Sequence, residues 1–390
     1  MDSATQAAEK IKTAAPRHLV SGNRLVALGA VAAGCRFFSG YPITPSSEIF
    51  QTMIEELPRV DNGGLALAAP DEISALAYCV GASMAGYKAM TATSGPGWCL
   101  MIETLQYALI TETPVVIAVV QRLGPSTGGA TQGAQGDVLL TQFCTSGGYT
   151  IPVFAPSNAR ECFELTQTAF WWSERLRTPV VLLSDKEVGM TLESVDAESL
   201  QRGPAAERAA FSGGGRYLPY EYRRQDEPPA FAPVGGSVKV VATGSAHDRE
   251  GKLRKNSAEV IDLLAHLQTK IAAHAKQMAI CDADLQKNAE TLVLSYGTTA
   301  RAAREAVNRL RAAGHKVSLL KLMTLFPIAT EAIMRAAKGC ARVVVAEENL
   351  TGLYASMVES LVGKRELVRV NGIGNQISPA RIVEAVERAQ

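Results

Sequence analysis

No Cys-x-x-Cys pair occurs in this 390-residue chain, although seven cysteines are scattered along it at Cys35, Cys79, Cys99, Cys144, Cys162, Cys281 and Cys340. Iron–sulfur and zinc sites gather several thiolates, usually at close sequence spacing, so no cluster is expected here. Free thiols in a reducing compartment account for the pattern instead. No apolar run reaches the ~18 residues needed to span a bilayer. Net charge is only +1, which argues against non-specific binding to nucleic acid or an anionic membrane. The Gly-x-Gly-x-x-Gly of a Rossmann-type nucleotide enzyme does not follow the first strand pattern. Met1 to Pro16 carries Asp2 and Glu9 and lacks an apolar core, so it is expected to be a tail and not a signal peptide. The expected protein is soluble and cytoplasmic.

Against these absences, 47% of residues are hydrophobic and 20% charged, enough for a sizeable core. The length predicts two or three domains. The first ~195 residues alternate strand-like runs with helical patterns. The runs are Cys35–Phe38, Ala89–Thr93, Val115–Val120 and Val180–Leu183, and the helices include Glu72 to Met84 and Ala159 to Trp172. Such alternation implies a doubly wound α/β domain with a parallel sheet. Gln201 to Val234 is rich in Gly, Pro, Arg and Glu and is read as a linker or long excursion. Ala258 to Met278 is expected to form one long amphipathic helix. A second α/β unit starts near Glu290, with strands at Thr291–Ser295, Lys316–Leu320 and Arg342–Ala346 and helices at Thr299–Ala313 and Ile382–Arg388. The boundaries are a tail over 1–17, a first domain over 18–197, an excursion over 198–289 and a last domain over 290–390.

Four polar loops leave the predicted strands of the first unit. Gly40-Tyr41-Pro42-Ile43-Thr44-Pro45-Ser46-Ser47 is stiffened by two prolines and carries hydroxyls; a turn ending in a helix cap by Ser46 or Ser47 explains it equally. Asp71-Glu72 opens a helix, where acidic residues are favoured electrostatically; alternatively Glu72 is a buried acid held beside a cofactor. Thr93-Ser94-Gly95-Pro96-Gly97 lets backbone approach a ligand, or is a plain turn before a helix over Leu100–Leu109. It lacks the ending of a phosphate loop. Gln121-Arg122-Leu123-Gly124-Pro125-Ser126-Thr127-Gly128 puts Arg122 where its planar guanidinium meets an anion, or where it forms a surface ion pair. Four such loops at strand ends of one sheet favour a ligand site. His247-Asp248 is too small a set for a metal, and a structural or subunit-contact role is expected. Trp171-Trp172 is expected in core or interface.

The string Tyr41-Pro42-Ile43-Thr44-Pro45-Ser46-Ser47 resembles the alpha subunits of the 2-oxoacid:ferredoxin oxidoreductases. The order of Asp71-Glu72, Ala92-Thr93-Ser94-Gly95-Pro96-Gly97, Gln121–Gly128, Thr243-Gly244, Ser295-Tyr296-Gly297 and Glu347-Glu348-Asn349-Leu350-Thr351-Gly352 agrees over roughly residues 20–390. The likeness is to the 2-oxoglutarate-type branch, without a fused gamma domain. It implies a thiamine pyrimidine-binding domain followed by a transketolase C-terminal-like domain. It implies oxidative decarboxylation of a 2-oxoacid, 2-oxoglutarate to succinyl-CoA first, with coenzyme A as co-substrate and electrons passed to ferredoxin. Glu72 corresponds to the glutamate that hydrogen-bonds the thiamine aminopyrimidine at N1′. Arg122 corresponds to the arginine gripping the substrate carboxylate, and Thr44 to the threonine near substrate and coenzyme A. Tyr41 and Ser46 fall in the same substrate loop, and Ser94, Gly95, Pro96 and Gly97 beside the cofactor.

The Gly-Asp-Gly start of a thiamine diphosphate–Mg²⁺ site is missing; Gly136-Asp137 is followed by Val138. Thiamine diphosphate is therefore expected at an interface with a beta subunit that carries Mg²⁺ and a [4Fe-4S] cluster. The resemblance also allows a separate gamma subunit. Pyruvate, a branched-chain or an aryl 2-oxoacid are alternative substrates, and a non-catalytic assembly subunit is the rival from another class. Pro70 stands where the family more often has an acidic residue, and Gly129-Ala130-Thr131 where Pro before Thr is common.

Overall fold

The protein is described by a computed structural model over residues 17–388. The expected tail lies outside the described residues but for Arg17. Strand β1 (Arg17–Ser21) enters helix α1 (Gly22–Ala32), whose first turn is capped by the Ser21 hydroxyl accepting from the Arg24 N–H. There follow β2 (Phe37–Gly40), α2 (Ser47–Glu56), β3 (Leu65–Ala68), α3 (Glu72–Met84), β4 (Ala89–Thr93), α4 (Gly95–Ile110) and β5 (Val115–Gln121). Then come α5 (Val138–Gln142), β6 (Val153–Phe154), α6 (Ala159–Leu176), β7 (Pro179–Asp185), α7 (Lys186–Met190) and β8 (Leu192–Asp196).

After the excursion the chain forms α8 (Ala258–Ala272), α9 (Ala275–Met278), β9 (Cys281–Asp284), β10 (Thr291–Tyr296), α10 (Thr299–Ala312), β11 (Val317–Leu322) and β12 (Thr324–Phe326). It closes with α11 (Thr330–Ala336), β13 (Arg342–Glu347), α12 (Leu353–Val362), β14 (Glu366–Asn371) and α13 (Pro379–Glu387).

A seven-stranded sheet has the order β12-β6-β7-β5-β4-β2-β3, parallel except for β12, and a five-stranded sheet the order β14-β13-β10-β11-β9. Every residue of β4, β5 and β7 is buried, as expected of parallel strands covered on both faces. Side chains alternate across β5: Val115, Ile117 and Val119 join one apolar core, and Val116, Ala118 and Val120 the other. The first of these cores also takes in Leu292, Leu294 and Tyr296 of β10 and Val343 and Val345 of β13, so it is common to both sheets. β12 pairs antiparallel with β6, carrying a piece of the second half into the first sheet.

Several expectations are corrected. The long helix breaks into α8 and α9 at Ala273 and His274. The first strand is shifted to Phe37–Gly40, because the Cys35 N–H still donates back to the Ala30 carbonyl at the end of α1. Helix α4 starts at Gly95, five residues earlier than expected, since Pro96 suits a first turn that needs no N–H. The excursion has little regular structure but is packed, burying Tyr217, Tyr220 and Tyr222. Arg177 ties it down by donating to the Pro229 and Ala230 carbonyls, both at 3.1 Å. A buried Arg208–Glu174 pair at 2.6 Å adds a second tie.

Candidate active site

The Tyr41–Ser46, Ser94 and Arg122 segments lie at the carboxyl ends of β2, β4 and β5, three adjacent strands, where ligands of such sheets bind. Asn23 Nδ2 pins the first segment by donating to the Pro45 carbonyl at 2.8 Å. Tyr41 and Thr44 are exposed, whereas Ser46 is buried. Ser46 stands at the helix-cap position of α2, but its hydroxyl donates to the Ile43 carbonyl at 2.9 Å and makes no cap bond. The turn closes on itself, so neither serine caps in the expected way. Arg122 is buried, and its Nη1 donates to the Thr44 carbonyl at 2.6 Å. The arginine is thus fixed to the first loop, and its Nε is buried without a partner.

Asp71 caps α3 by accepting from the Ser74 N–H at 2.7 Å, which leaves Glu72 as the first helical residue. Glu72 is 7% exposed, and its carboxylate makes no hydrogen bond or ion pair among the described residues. It packs on the first turn of α4: a Cβ on Gly97 would stand 2.6 Å from both Glu72 Cγ and Oε1, and would also collide with Thr93 Oγ1. Ser94 precedes that turn with its hydroxyl buried and unpartnered. The sheet thereby gathers Glu72, Ser94, Gly95, Pro96 and Gly97 around one helix start.

Asp137, of the incomplete Gly136-Asp137-Val138, comes to the same turn. A Cβ on Gly95 would lie 3.0 Å from each of its carboxylate oxygens. Its own N–H donates to Gln121 Oε1 at 3.0 Å, which fixes it behind β5. Burial pushes its carboxyl up to about 6, while the Arg122 charge pulls the other way. The only sequence signal was a polar run before α5, because its neighbours come from α4 and β5.

The late motifs fall at the seam between the halves. Gln135 Nε2 donates to Asp185 Oδ2 at 3.3 Å and to the Tyr296 carbonyl at 3.2 Å, and its Oε1 accepts from the Glu348 N–H at 2.9 Å. Gly297, at φ +56°, has no room for a Cβ against Gln135 and Asp185. Glu347 accepts from Tyr296 Oη at 2.9 Å and from the Tyr354 and Ala355 N–H groups, both at 2.9 Å, so this motif is a joint. His247 packs on Tyr220, and Asp248 accepts from the Glu250 and Lys252 N–H groups, both at 3.0 Å. Both are tied into the excursion by these contacts. Trp172 is buried in the core beside α9. Among the described residues no group of three or more His, Cys, Asp or Glu side chains is arranged to hold a metal. No helix among them is long and apolar enough to cross a membrane.

The class to which this α/β fold belongs is the thiamine-dependent one, as the family comparison shows. Residues 28–265 match the family model described as pyruvate flavodoxin/ferredoxin oxidoreductase, thiamine diphosphate-binding, and residues 289–382 match pyruvate:ferredoxin oxidoreductase core domain II. The chain belongs to this family, as an alpha-type subunit of the 2-oxoacid:ferredoxin oxidoreductases. It is 36% identical over 92% of its length to a 2-oxoglutarate synthase subunit KorA of Methanothermobacter marburgensis, covering 95% of that protein. Against the KorA of Archaeoglobus fulgidus it is 37% identical over 95% of its length, covering 98% of that protein. It is similar, with a TM-score of 0.88 and 30% identity over 95% of the chain, to a 2-oxoglutarate:ferredoxin oxidoreductase from Magnetococcus marinus solved with 2-oxoglutarate, coenzyme A and succinyl-CoA; it spans 65% of that longer chain. A split-gene transketolase shares the fold at a TM-score of 0.53 and 15% identity.

Proposed function

We propose that the chain is the alpha subunit of an enzyme that oxidatively decarboxylates 2-oxoglutarate to succinyl-CoA and passes the electrons to ferredoxin. The observation that carries this reading is Glu72: a buried carboxylate without a partner of its own, pressed on the Gly97 turn. A carboxylate with no hydrogen bond or ion pair inside its own chain is free to take a partner from outside it. A ring nitrogen of thiamine diphosphate, arriving from a partner chain, fits that role. When bound, the cofactor would supply the nucleophilic carbon that decarboxylation of a 2-oxoacid needs. Glu72 holds or shares the proton at the ring nitrogen. Arg122, fixed by Thr44, supplies positive charge to the substrate carboxylate. Exposed Thr44 and Tyr41 line the approach used by substrate and coenzyme A, while Ser46 keeps their loop in shape.

Mg²⁺, the diphosphate anchor and the [4Fe-4S] cluster belong in this reading to a beta subunit. A groove of about 700 Å³ supports a docked partner; it is lined by Leu65 and Leu67 of β3 and by Ala77, Tyr78 and Gly81 of α3. β3 ends the sheet, and Leu65, Leu67 and Tyr78 are exposed. Unpaired edges and large apolar patches mark interaction surfaces, and α3 carries both this patch and Glu72. A gamma subunit on a separate chain and a cytoplasmic location complete the reading; all seven cysteines being free accords with a reducing compartment. The test is to purify the complex from its native source and assay 2-oxoglutarate, pyruvate, branched-chain and aryl 2-oxoacids with coenzyme A and a viologen dye. Preference for 2-oxoglutarate is expected; activity on none of them would leave the assembly-subunit rival standing.

A further inference from the structure

Among the buried polar atoms without partners are Ser94 Oγ just before α4, Arg122 Nε just after β5, and Asp137 Oδ2 against the first turn of α4. Unmatched buried polar groups are costly, so a cluster of them calls for a ligand that satisfies the set. Ser94 and Arg122 are donors. Asp137 belongs with them only if it carries a proton, because an ionised carboxylate would repel the anion that Arg122 attracts. Among the described residues Arg122 is the charge that acts on Asp137, and the Cys99 thiol of α4 is its other titratable neighbour. Glu72 sits farther along the same turn, at Gly97, two residues on from the Gly95 that Asp137 meets.

We propose that Asp137 is a substrate-binding residue that engages the 2-oxoacid carboxylate in its protonated form, donating a hydrogen bond while Arg122 supplies the charge. The inference rests on the reading of Arg122 as the carboxylate clamp. Geometry supports it: both Asp137 oxygens lie 3.0 Å from the Cβ position of Gly95, and one of them is closed off from solvent and unbonded. Burial favours the neutral acid to about pH 6 in the free protein. A substrate anion alongside favours it further, so binding at higher pH draws one proton from solvent.

The proposal fixes a pH dependence of affinity. If only the protonated form binds well, apparent affinity falls with the fraction protonated, roughly tenfold per pH unit above about pH 6. The 2-oxoacid itself is already ionised there and adds no slope. In the intact complex, the KM for 2-oxoglutarate should rise about tenfold per unit between pH 6.5 and 8. Asp137→Asn, whose amide donates at every pH, should flatten that slope. Calorimetry of the wild-type complex at pH 7.5, in two buffers of different ionisation enthalpy, should show uptake of a proton on binding; this arm does not depend on how any variant folds. A wild-type KM that is flat over this range, absence of proton uptake, or a folded Asp137→Asn complex with the wild-type slope would each overturn the proposal. Arg122→Ala separates the two levels. If it leaves KM and kcat unchanged, the clamp reading itself fails. If it raises KM while Asp137→Asn keeps the wild-type slope, the role of Asp137 alone fails.

Discussion

Glu72 and Gly97 are in such close contact that no side chain fits between them: a Cβ on Gly97 would lie 2.6 Å from Glu72 Oε1. Contacts that short force something to move, and Thr93 blocks the other direction. Gly97→Ala should therefore displace the Glu72 carboxylate and cut turnover by 100-fold or so, on the scale of losing one acid–base partner. Gly136→Ala, with nothing within 4 Å of the new methyl, serves as the control and should retain activity. Steady-state rates of the two variant complexes check this.

Glu72→Ala should remove about 10²- to 10⁴-fold of kcat while the complex still assembles. The side chain makes no bond that holds α3 in place, since Asp71 performs the capping. Size-exclusion chromatography together with a single-turnover assay would measure both. Near-normal turnover would take Glu72 out of the mechanism.

Lys270 Nζ meets Glu112 Oε2 at 2.5 Å with both side chains buried, and His266 Nε2 reaches the same oxygen at 3.1 Å. Burial alone would raise the Glu112 carboxyl, but Lys270, His266 and Arg177 together hold it at about 2. A carboxyl depressed in the folded state stabilises above its ordinary value near 4.5 and loses that contribution as pH falls towards 2. Lys270→Ala removes the nearest cation from a buried carboxylate, leaving His266 and Arg177 beside it, and should cost up to about 3–5 kcal/mol. Denaturant melts at pH 7 measure that loss, and the gap between variant and wild type should narrow in acid.

Glu348 behaves in the opposite way. Burial, and then the Asp185 charge across the seam, push its carboxyl up from 4.5 to about 7. The folded protein thus holds a proton that the unfolded chain releases, so stability declines as pH rises from about 4.5 to 7 and stays lower above. At about 1.4 kcal/mol per pH unit the window amounts to on the order of 3 kcal/mol. Glu348→Gln should flatten this part of the curve and raise Tm at pH 8, with little change at pH 5. Thermal melts across that range test it.

Much of this was legible from the residues alone. The bounds of α3 follow from Asp71, whose cap fixes the start at Glu72. The buried strands β5 and β7 announce themselves as near-continuous apolar runs, and β4 as a shorter one broken by Thr91. What escaped has a common cause. β6 and β12 are two and three residues long, too short to show a period. The break between α8 and α9 falls at Ala273-His274, where local propensity gives no stop signal. The loops at the ends of β2, β4 and β5 were found by their turn chemistry. Asp137 was missed because it sits after a long loop, and its neighbours are brought to it only by the folded sheet.

Strand β12 also bears on how the protein can be divided. Just before it, the Met323 carbonyl accepts from the Ala155 N–H at 2.8 Å, and Thr324 and Phe326 of the strand pair with Phe154 and Val153. A fragment cut before residue 290 would leave β6 with a bare, apolar margin, the kind of surface that recruits other chains. Such a fragment should clump on expression, so the cofactor-facing half is not a portable module and any engineered split must keep residues 323–326 with it.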